Sequence, residues 1–408
     1  MKDNYLYLFL LFINLYMPIS PYFCLAINIM MCIFLSHKNK RSLGNKLNGV
    51  ILLSFIVLCL ALFAALLYPK PEFEVIGKYI RCFLTTLVLV RLGGCFAISE
   101  DKLLTLTLAI LFIHIATIPI QMLFPQIAPP MAAFFNCDRD PELFQRLSIR
   151  NMGTAGSFDM GAYFSIIGFV LSFATFNKTH NNKYLIFAFL FFLSLIRISR
   201  TGMLIGALFF AFCIFKYFKT VKKVNNKDIK SRIVFIAIIA GLITTLAVKI
   251  IPIISATTNL LDNTGLDKEE IEQLNDYGAN SSVGLTTYHL DILHHIDTTT
   301  LIFGGAFSPN STAYESDIGY VKMICNVGIL GLLVILFLHY LIYRLLKKYT
   351  SNYCPNFSHF LIVSMIVVLI INYKNLIMYS RGAYDGLIFM TAVAINSSLY
   401  FKNKKLYA

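Results

Sequence analysis

Apolar residues occur along the chain in long uninterrupted runs, not in the alternation of a strand or the single stripe of a surface helix. Each run approaches the ~20 residues with which a helix crosses ~30 Å of hydrocarbon. The pattern predicts an all-α, polytopic membrane protein of twelve spans. They fall at residues 5–18, 22–36, 48–68, 77–95, 103–123, 157–176, 183–198, 201–217, 233–254, 318–343, 357–373 and 384–400. Pro18 and Pro21 interrupt the first pair, which reads as two short spans or one kinked helix. The seventh and eighth spans form a tight hairpin turning at Ser199 and Arg200. One transmembrane domain, residues 1–408, takes in the whole chain.

Basic clusters give these spans a direction. Lys38, Lys40, Arg41 and Lys46 form one; Lys178 and Lys183 another; Lys219, Lys222, Lys223, Lys227, Lys230 and Arg232 a third; Arg344, Lys347 and Lys348 a fourth; and Lys402, Lys404 and Lys405 the last. With twelve spans all of them fall on one side, the side the positive-inside rule makes cytoplasmic, whereas one span more or fewer would divide them between two faces. Both termini are therefore expected in the cytoplasm. The formal net charge of +14 reads as this topology bias and not as a nucleic-acid surface. Composition agrees: 57% hydrophobic and 14% charged residues lie outside the soluble range of roughly 45–50% and about 25%. Trp is absent, which leaves Tyr and Phe to form the interfacial belt.

Two outer loops are long enough to hold structure, residues 124–156 and 255–317. The second carries an acidic stretch, Asp267 to Glu272, and then Thr287 to Ile296, where Leu290, Leu293 and Ile296 have the spacing of an amphipathic helix lying on the membrane face. Of the nine cysteines Cys137 alone is assigned to an outer loop, so no disulfide is expected there. Lys2 and the apolar stretch after it read as a retained first span, because no small-residue cleavage site stands out.

No phosphate-binding glycine loop or dinucleotide fingerprint is present, which argues against ATP-driven work. His289, Asp291, His294, His295 and Asp297 offer metal-ligand chemistry in one short segment. No His-x-x-x-His pair sets two of them one turn apart, and they read as the polar face of the amphipathic helix, so neither a metal nor a cofactor is expected. Arg150, Arg200 and Arg381 all fall on the outer side near span ends, where guanidinium forks suit phosphate or carboxylate. Each also suits snorkelling, or an ion pair with a neighbour such as Asp385. Within the spans, Arg81, Arg91, Arg197, Lys249 and Lys322 would each cost roughly 2.5–3.5 kcal/mol facing lipid at the bilayer centre, so they are expected to snorkel or to face the bundle interior.

The segments Phe303-Gly304-Gly305-Ala306-Phe307, Tyr314-Glu315-Ser316-Asp317-Ile318-Gly319-Tyr320 and Gly328-Ile329-Leu330-Gly331 close the large loop and open the tenth span. Earlier in the chain stand Arg150-Asn151-Met152-Gly153 with Phe158-Asp159, and Ser199-Arg200-Thr201-Gly202. In order, spacing and side, this set resembles the O-antigen polymerase (Wzy-type) family within the O-antigen polymerase and ligase superfamily of membrane glycosyltransferases. The resemblance covers residues 150 to 345; the N-terminal third matches by hydropathy alone. The ligase branch has His-Asn where this chain has Ser316-Asp317, which favours polymerase over ligase.

The resemblance implies a GT-C-like bundle in a bacterial inner membrane with both large loops periplasmic. It implies a metal-independent inverting transfer of a growing glycan from its polyprenyl diphosphate carrier to the sugar end of a new lipid-linked repeat unit. Arg150, Arg200 and Arg381, with Lys322 and Tyr320, would hold the diphosphate and glycan; Asp317, or Glu315 as second choice, would take the proton of the attacking hydroxyl. Asp317 equally suits the N-cap of the tenth span. Membrane lipids and a chain-length regulator protein are the further partners implied. A transporter of the same lipid-linked sugars is the competing class; its site would sit between internal repeats with broken helices, whereas this chain displays neither a repeat nor a large buried polar set.

Overall fold

The computed structural model describes residues 2–16, 20–38, 44–127, 130–131, 134, 153–155, 157–199, 202–211, 293–308, 318–373 and 376–406. Among these the chain is all helical, without strands. The helices are α1 Lys2–Tyr16, α2 Pro21–Lys38, α3 Asn48–Leu67, α4 Phe73–Gly93, α5 Glu100–Leu123, α6 Phe158–Thr179, α7 Lys183–Ile198, α8 Gly202–Ala211, α9 Thr298–Phe303, α10 Gly319–Thr350, α11 Pro355–Ile371 and α12 Gly386–Leu406. A π-helical turn, Arg381–Asp385, opens α12. The chain divides into two compact units, and the second, Cys213–His295, lies almost wholly outside the described residues.

Every predicted span falls on a helix except residues 233–254 and the last part of 201–217, which lie outside the described residues. Among the described residues four helices, α3, α5, α6 and α10, are long and apolar enough to cross a membrane, with α8 and α11 among the shorter apolar ones. This measure does not reach the expected twelve, for reasons visible in the residues: α1 and α7 run for 15 and 16 residues, and α4 carries Glu74, Lys78, Arg81 and Arg91. The first two helices are separate elements. Their buried amides pair reciprocally, with Asn28 Nδ2 donating to Asn14 Oδ1 at 2.8 Å and Asn14 Nδ2 to Asn28 Oδ1 at 3.2 Å.

Helix α6 is apolar on all sides and correspondingly enclosed, against α5, α7 and α11. At its basic end, Glu100 in the first turn of α5 is buried. Its carboxylate accepts from Asn356 N at 2.6 Å and Phe357 N at 3.1 Å, capping α11, and pairs with Lys178 of α6 at 2.5 Å. One side chain thereby joins three helices and offsets the partial positive charge at the start of one of them. Glu100→Ala is expected to cost about 1–2 kcal/mol, as the loss of a cap does. Glu100→Gln, which keeps an acceptor, should cost about half that, read as heat-unfolding midpoints in detergent.

Helix α10 is broken inside its apolar run. Gly328 has φ 69° and ψ 179°, so the first turns, Gly319 to Val327, form a half-helix. The carbonyls the break frees are taken by the glycine pair: Gly305 N donates to Cys325 O at 2.8 Å and Ala306 N to Asn326 O at 3.1 Å. The contact is backbone on backbone, since a Cβ on Gly304 would meet Gly328 N at 2.6 Å. The same strand of chain is pinned to the α3–α4 connection, where Glu72 N donates to Ala306 O at 2.8 Å, Ser308 N to Glu72 Oε1 at 3.0 Å, and Tyr68 stacks on Phe307. The break persists because Gly305 and Ala306, earlier in the chain, satisfy the carbonyls it exposes.

Candidate functional site

Near the glycine latch, in which Gly305 and Ala306 hold the broken α10, lies a buried ion pair. Arg81 of α4 is 5% exposed and Asp385 2%. Arg81 Nη1 donates to Asp385 Oδ2 at 2.8 Å, and Nη2 donates to the Tyr379 carbonyl at 2.8 Å. The π-helical turn makes this possible. Asn372 Oδ1 accepts from Ile377 N and Met378 N, both at 3.0 Å, which fixes the approach to the turn. One π-turn then carries Asp385 round towards α4, the kind of local insertion that recurs at functional sites. The Tyr384 hydroxyl shares a 2.7 Å hydrogen bond with Thr86 Oγ1, and the rings of Tyr79, Tyr379 and Tyr384 close around the pair.

Two lysines stand beside it. Lys78 lies one turn before Arg81 on α4, is half-buried, and is close enough to Arg81 and Lys322 to be repelled by both. Lys322 follows in the first turn of the α10 half-helix. Asn326, one turn on, ties that half-helix to its neighbours. With its nitrogen facing the carbonyls it donates to Phe307 O at 2.8 Å and Lys322 O at 3.0 Å, while its oxygen sits 3.4 Å from the Tyr79 hydroxyl. The N-terminus of the half-helix, Lys78 and Lys322 thus share one corner with the Arg81–Asp385 pair, whose charges offset each other, and with Glu74, which attracts Lys78. Tyr320 is half-buried, and its hydroxyl donates to Leu369 O of α11 at 2.6 Å, a bond that ties two helices together.

A second network holds the chain before α6. Gly153 has φ 61°, and a Cβ there would meet His114 Nδ1 at 2.5 Å. Gln121 and Gly153 exchange two hydrogen bonds, both 3.1 Å. Thr154 N donates to His114 Nδ1 at 3.3 Å, which leaves the ring proton on Nε2, 3.1 Å from Gly161 O and 3.2 Å from Ser165 Oγ. The Ser165 hydroxyl is 2.7 Å from that of Ser194 on α7. The glycine of the Arg150-Asn151-Met152-Gly153 motif is accordingly explained by close approach to α5, and Ser157 caps α6 by accepting from Met160 N at 3.2 Å. Ser199 likewise opens α8, its hydroxyl accepting from Gly202 N at 3.2 Å.

Asp317, Glu315, Arg150 and Arg200 lie outside the described residues, and Arg381 is described in its backbone alone. Of the expected site residues the structure brings Lys322 to this corner and ties Tyr320 to α11, and it gives Asp385 to Arg81. Lys78 was not among the expected residues; its place one turn from Arg81, on a helix otherwise apolar there, is the signal that would have found it. In the large loop, His294 and His295 are exposed, and His289 and Asp291 lie outside the described residues. Asp297 caps α9 by accepting from Thr300 N at 3.0 Å and from the Thr300 hydroxyl, which hold its carboxyl below its usual range. No protein-family profile matches the chain, and no curated protein is significantly similar to it, so the family resemblance rests on the motifs themselves.

Proposed function

We propose that the chain is a polysaccharide polymerase of the O-antigen polymerase type, an inner-membrane protein of about twelve spans in a GT-C-like bundle, with cytoplasmic termini and periplasmic larger loops. It joins polyprenyl-diphosphate-linked oligosaccharide units, working with a chain-length regulator protein. The observation that carries this reading is the broken α10. Its half-helix begins two residues after Asp317 and holds Lys322 beside Lys78 and Arg81, and the glycine pair of the family motif is what sustains the break. In the reaction the acceptor sugar hydroxyl attacks the anomeric carbon from the face opposite the diphosphate. Asp317, or Glu315, takes the hydroxyl proton; the new C–O bond forms as the bond to diphosphate breaks. Diphosphate leaves as an anion without protonation, and the guanidinium groups of Arg150, Arg200 and Arg381 with the Lys322 ammonium stabilise its charge. Purified protein given lipid-linked repeat units is expected to produce a ladder of longer glycans, and Asp317→Ala or Arg200→Ala to abolish it. Wild-type protein that binds the units and never elongates them would sink the reading.

The same broken helix favours a second reading, a transporter of lipid-linked sugars, because discontinuous helices beside buried charge are the usual build of a transport site. Reconstituted vesicles holding labelled carrier lipid separate the two: transbilayer movement without glycan growth means transport.

A further inference from the structure

Helices α5 and α7 both pack on α6, and between them runs an apolar cavity of about 400 Å³. Ala116 and Pro119 on α5 and Ser194 on α7 are short side chains, and the gap between the two helices is the result. The cavity opens on an apolar face where Met122 and Leu190 are exposed, so in a membrane its mouth meets the acyl chains of the bilayer. Among the described residues that line it Arg197, in the last turn of α7, is the one with a charge. Its Nε is buried and makes no hydrogen bond among the described residues. A desolvated guanidinium N–H without an acceptor is unfavourable among hydrocarbon side chains, and an acceptor from outside the chain relieves it.

The charge of the groove selects among such acceptors. One guanidinium matches the single negative charge of a phosphodiester, and its fork of donors fits two phosphate oxygens. A diphosphate would bring a further charge that no second cation of the lining meets. A zwitterionic headgroup would bring an ammonium that no carboxylate of the lining receives. We infer that the groove holds an anionic glycerophospholipid of the bilayer, with one acyl chain between α5 and α7 and its phosphodiester on Arg197. The lipid fills the gap and joins two helices that otherwise meet mainly through α6. The inference requires the chain to be embedded in a membrane and takes nothing from its proposed reaction, so a binding measurement tests it.

Full-length protein, stripped of lipid in detergent, is offered dioleoyl phosphatidylglycerol or dioleoyl phosphatidylcholine, which share acyl chains and differ in net charge. Native mass spectrometry reads the retention. Wild type should hold one phosphatidylglycerol at a Kd about tenfold below that of phosphatidylcholine, the size of one charge-assisted hydrogen bond. Arg197→Gln should bring the two lipids level, and Arg197→Lys should keep part of the preference. Leu190→Trp, which fills the groove from an exposed position, should weaken the retention of both. Heat unfolding supplies a second readout: phosphatidylglycerol should raise the midpoint of wild type and leave those of Arg197→Gln and Leu190→Trp unmoved. Without lipid, Arg197→Gln should melt with wild type, because the guanidinium it removes strands no partner; if it fails to fold, Arg197→Lys and Leu190→Trp carry the test. Equal retention of the two lipids by wild type, or a preference for phosphatidylglycerol that survives Arg197→Gln, would overturn the inference. Polyprenyl diphosphate that displaces phosphatidylglycerol at equal concentration, in an Arg197-dependent way, would overturn it too, and failure to displace supports it.

Discussion

Replacing Arg81 by alanine is expected to destabilise the bundle by about 3–5 kcal/mol, the cost of leaving one charge of a buried pair without its partner. Asp385→Ala should cost a similar amount, because it strands a guanidinium that is 5% exposed. The double variant Arg81→Met with Asp385→Leu removes both charges and keeps the volume, so it should recover most of the loss, even though the Tyr379 carbonyl then forgoes its 2.8 Å donor. Heat-induced unfolding in one detergent of wild type, the double variant and its own two singles, Arg81→Met and Asp385→Leu, completes the cycle, and a coupling below about 0.5 kcal/mol would show that the pair does not act as a unit. The double variant leaves the net charge of the corner unchanged, because it removes one positive and one negative group together.

How the sequence carried this fold is instructive in the same residues. The apolar runs located helices because a run of ~20 such residues has few alternatives to a helix in lipid, where backbone groups find no water. Of the ends, the turn at Ser199 was legible, whereas the caps made by Ser157 and Glu100 were not read from the sequence. The Arg81–Asp385 pair was hidden, since its members are 304 positions apart and Arg381, one turn from Asp385, was the nearer partner in sequence. The π-turn rotates Asp385 out of that simple register and no residue pattern announces it. The glycines of the large-loop motif were conspicuous in sequence, but their purpose was not. Spacing cannot reveal that Gly304 and Gly328 press backbone against backbone. Of the proposed machinery Arg150, Arg200, Glu315 and Asp317 lie outside the described residues, while Lys322 and Tyr320, which the sequence also offered, lie in the first turn of α10.

Gly328→Ala is expected to be among the most damaging small substitutions in the chain. The backbone there, at φ 69° and ψ 179°, lies in a region essentially confined to glycine, and an alanine pays about 1–3 kcal/mol for it before any contact is counted. The contacts are worse: the new Cβ would stand 2.1 Å from Ile302 O and 2.4 Å from its carbonyl carbon, both backbone atoms that no rotamer change can move. Alanine also favours the continuous helix. Continuing it would return the carbonyls of Cys325 and Asn326 to α10's own amides and expel Gly305 and Ala306 from the latch. An unbroken helix of 32 residues is about 48 Å long, well beyond the ~30 Å of hydrocarbon, so the N-terminal end of α10, with Lys322, would be carried away from Lys78 and Arg81. Gly304→Ala should behave in the same way, from φ 85° and a 2.6 Å contact with Gly328 N. Gly49→Ala supplies the contrast, for its new Cβ would meet only the tip of Leu341 at 3.0 Å and the helix gains up to about 1 kcal/mol in propensity. Measured as the fraction of folded protein after heating in detergent, Gly49→Ala should stay within about 1 kcal/mol of wild type, and both latch variants should lose about 3 kcal/mol or more. A Gly328→Ala protein as stable as wild type would mean that α10 tolerates being straight, and the basic corner would then owe its geometry to something other than the glycine latch.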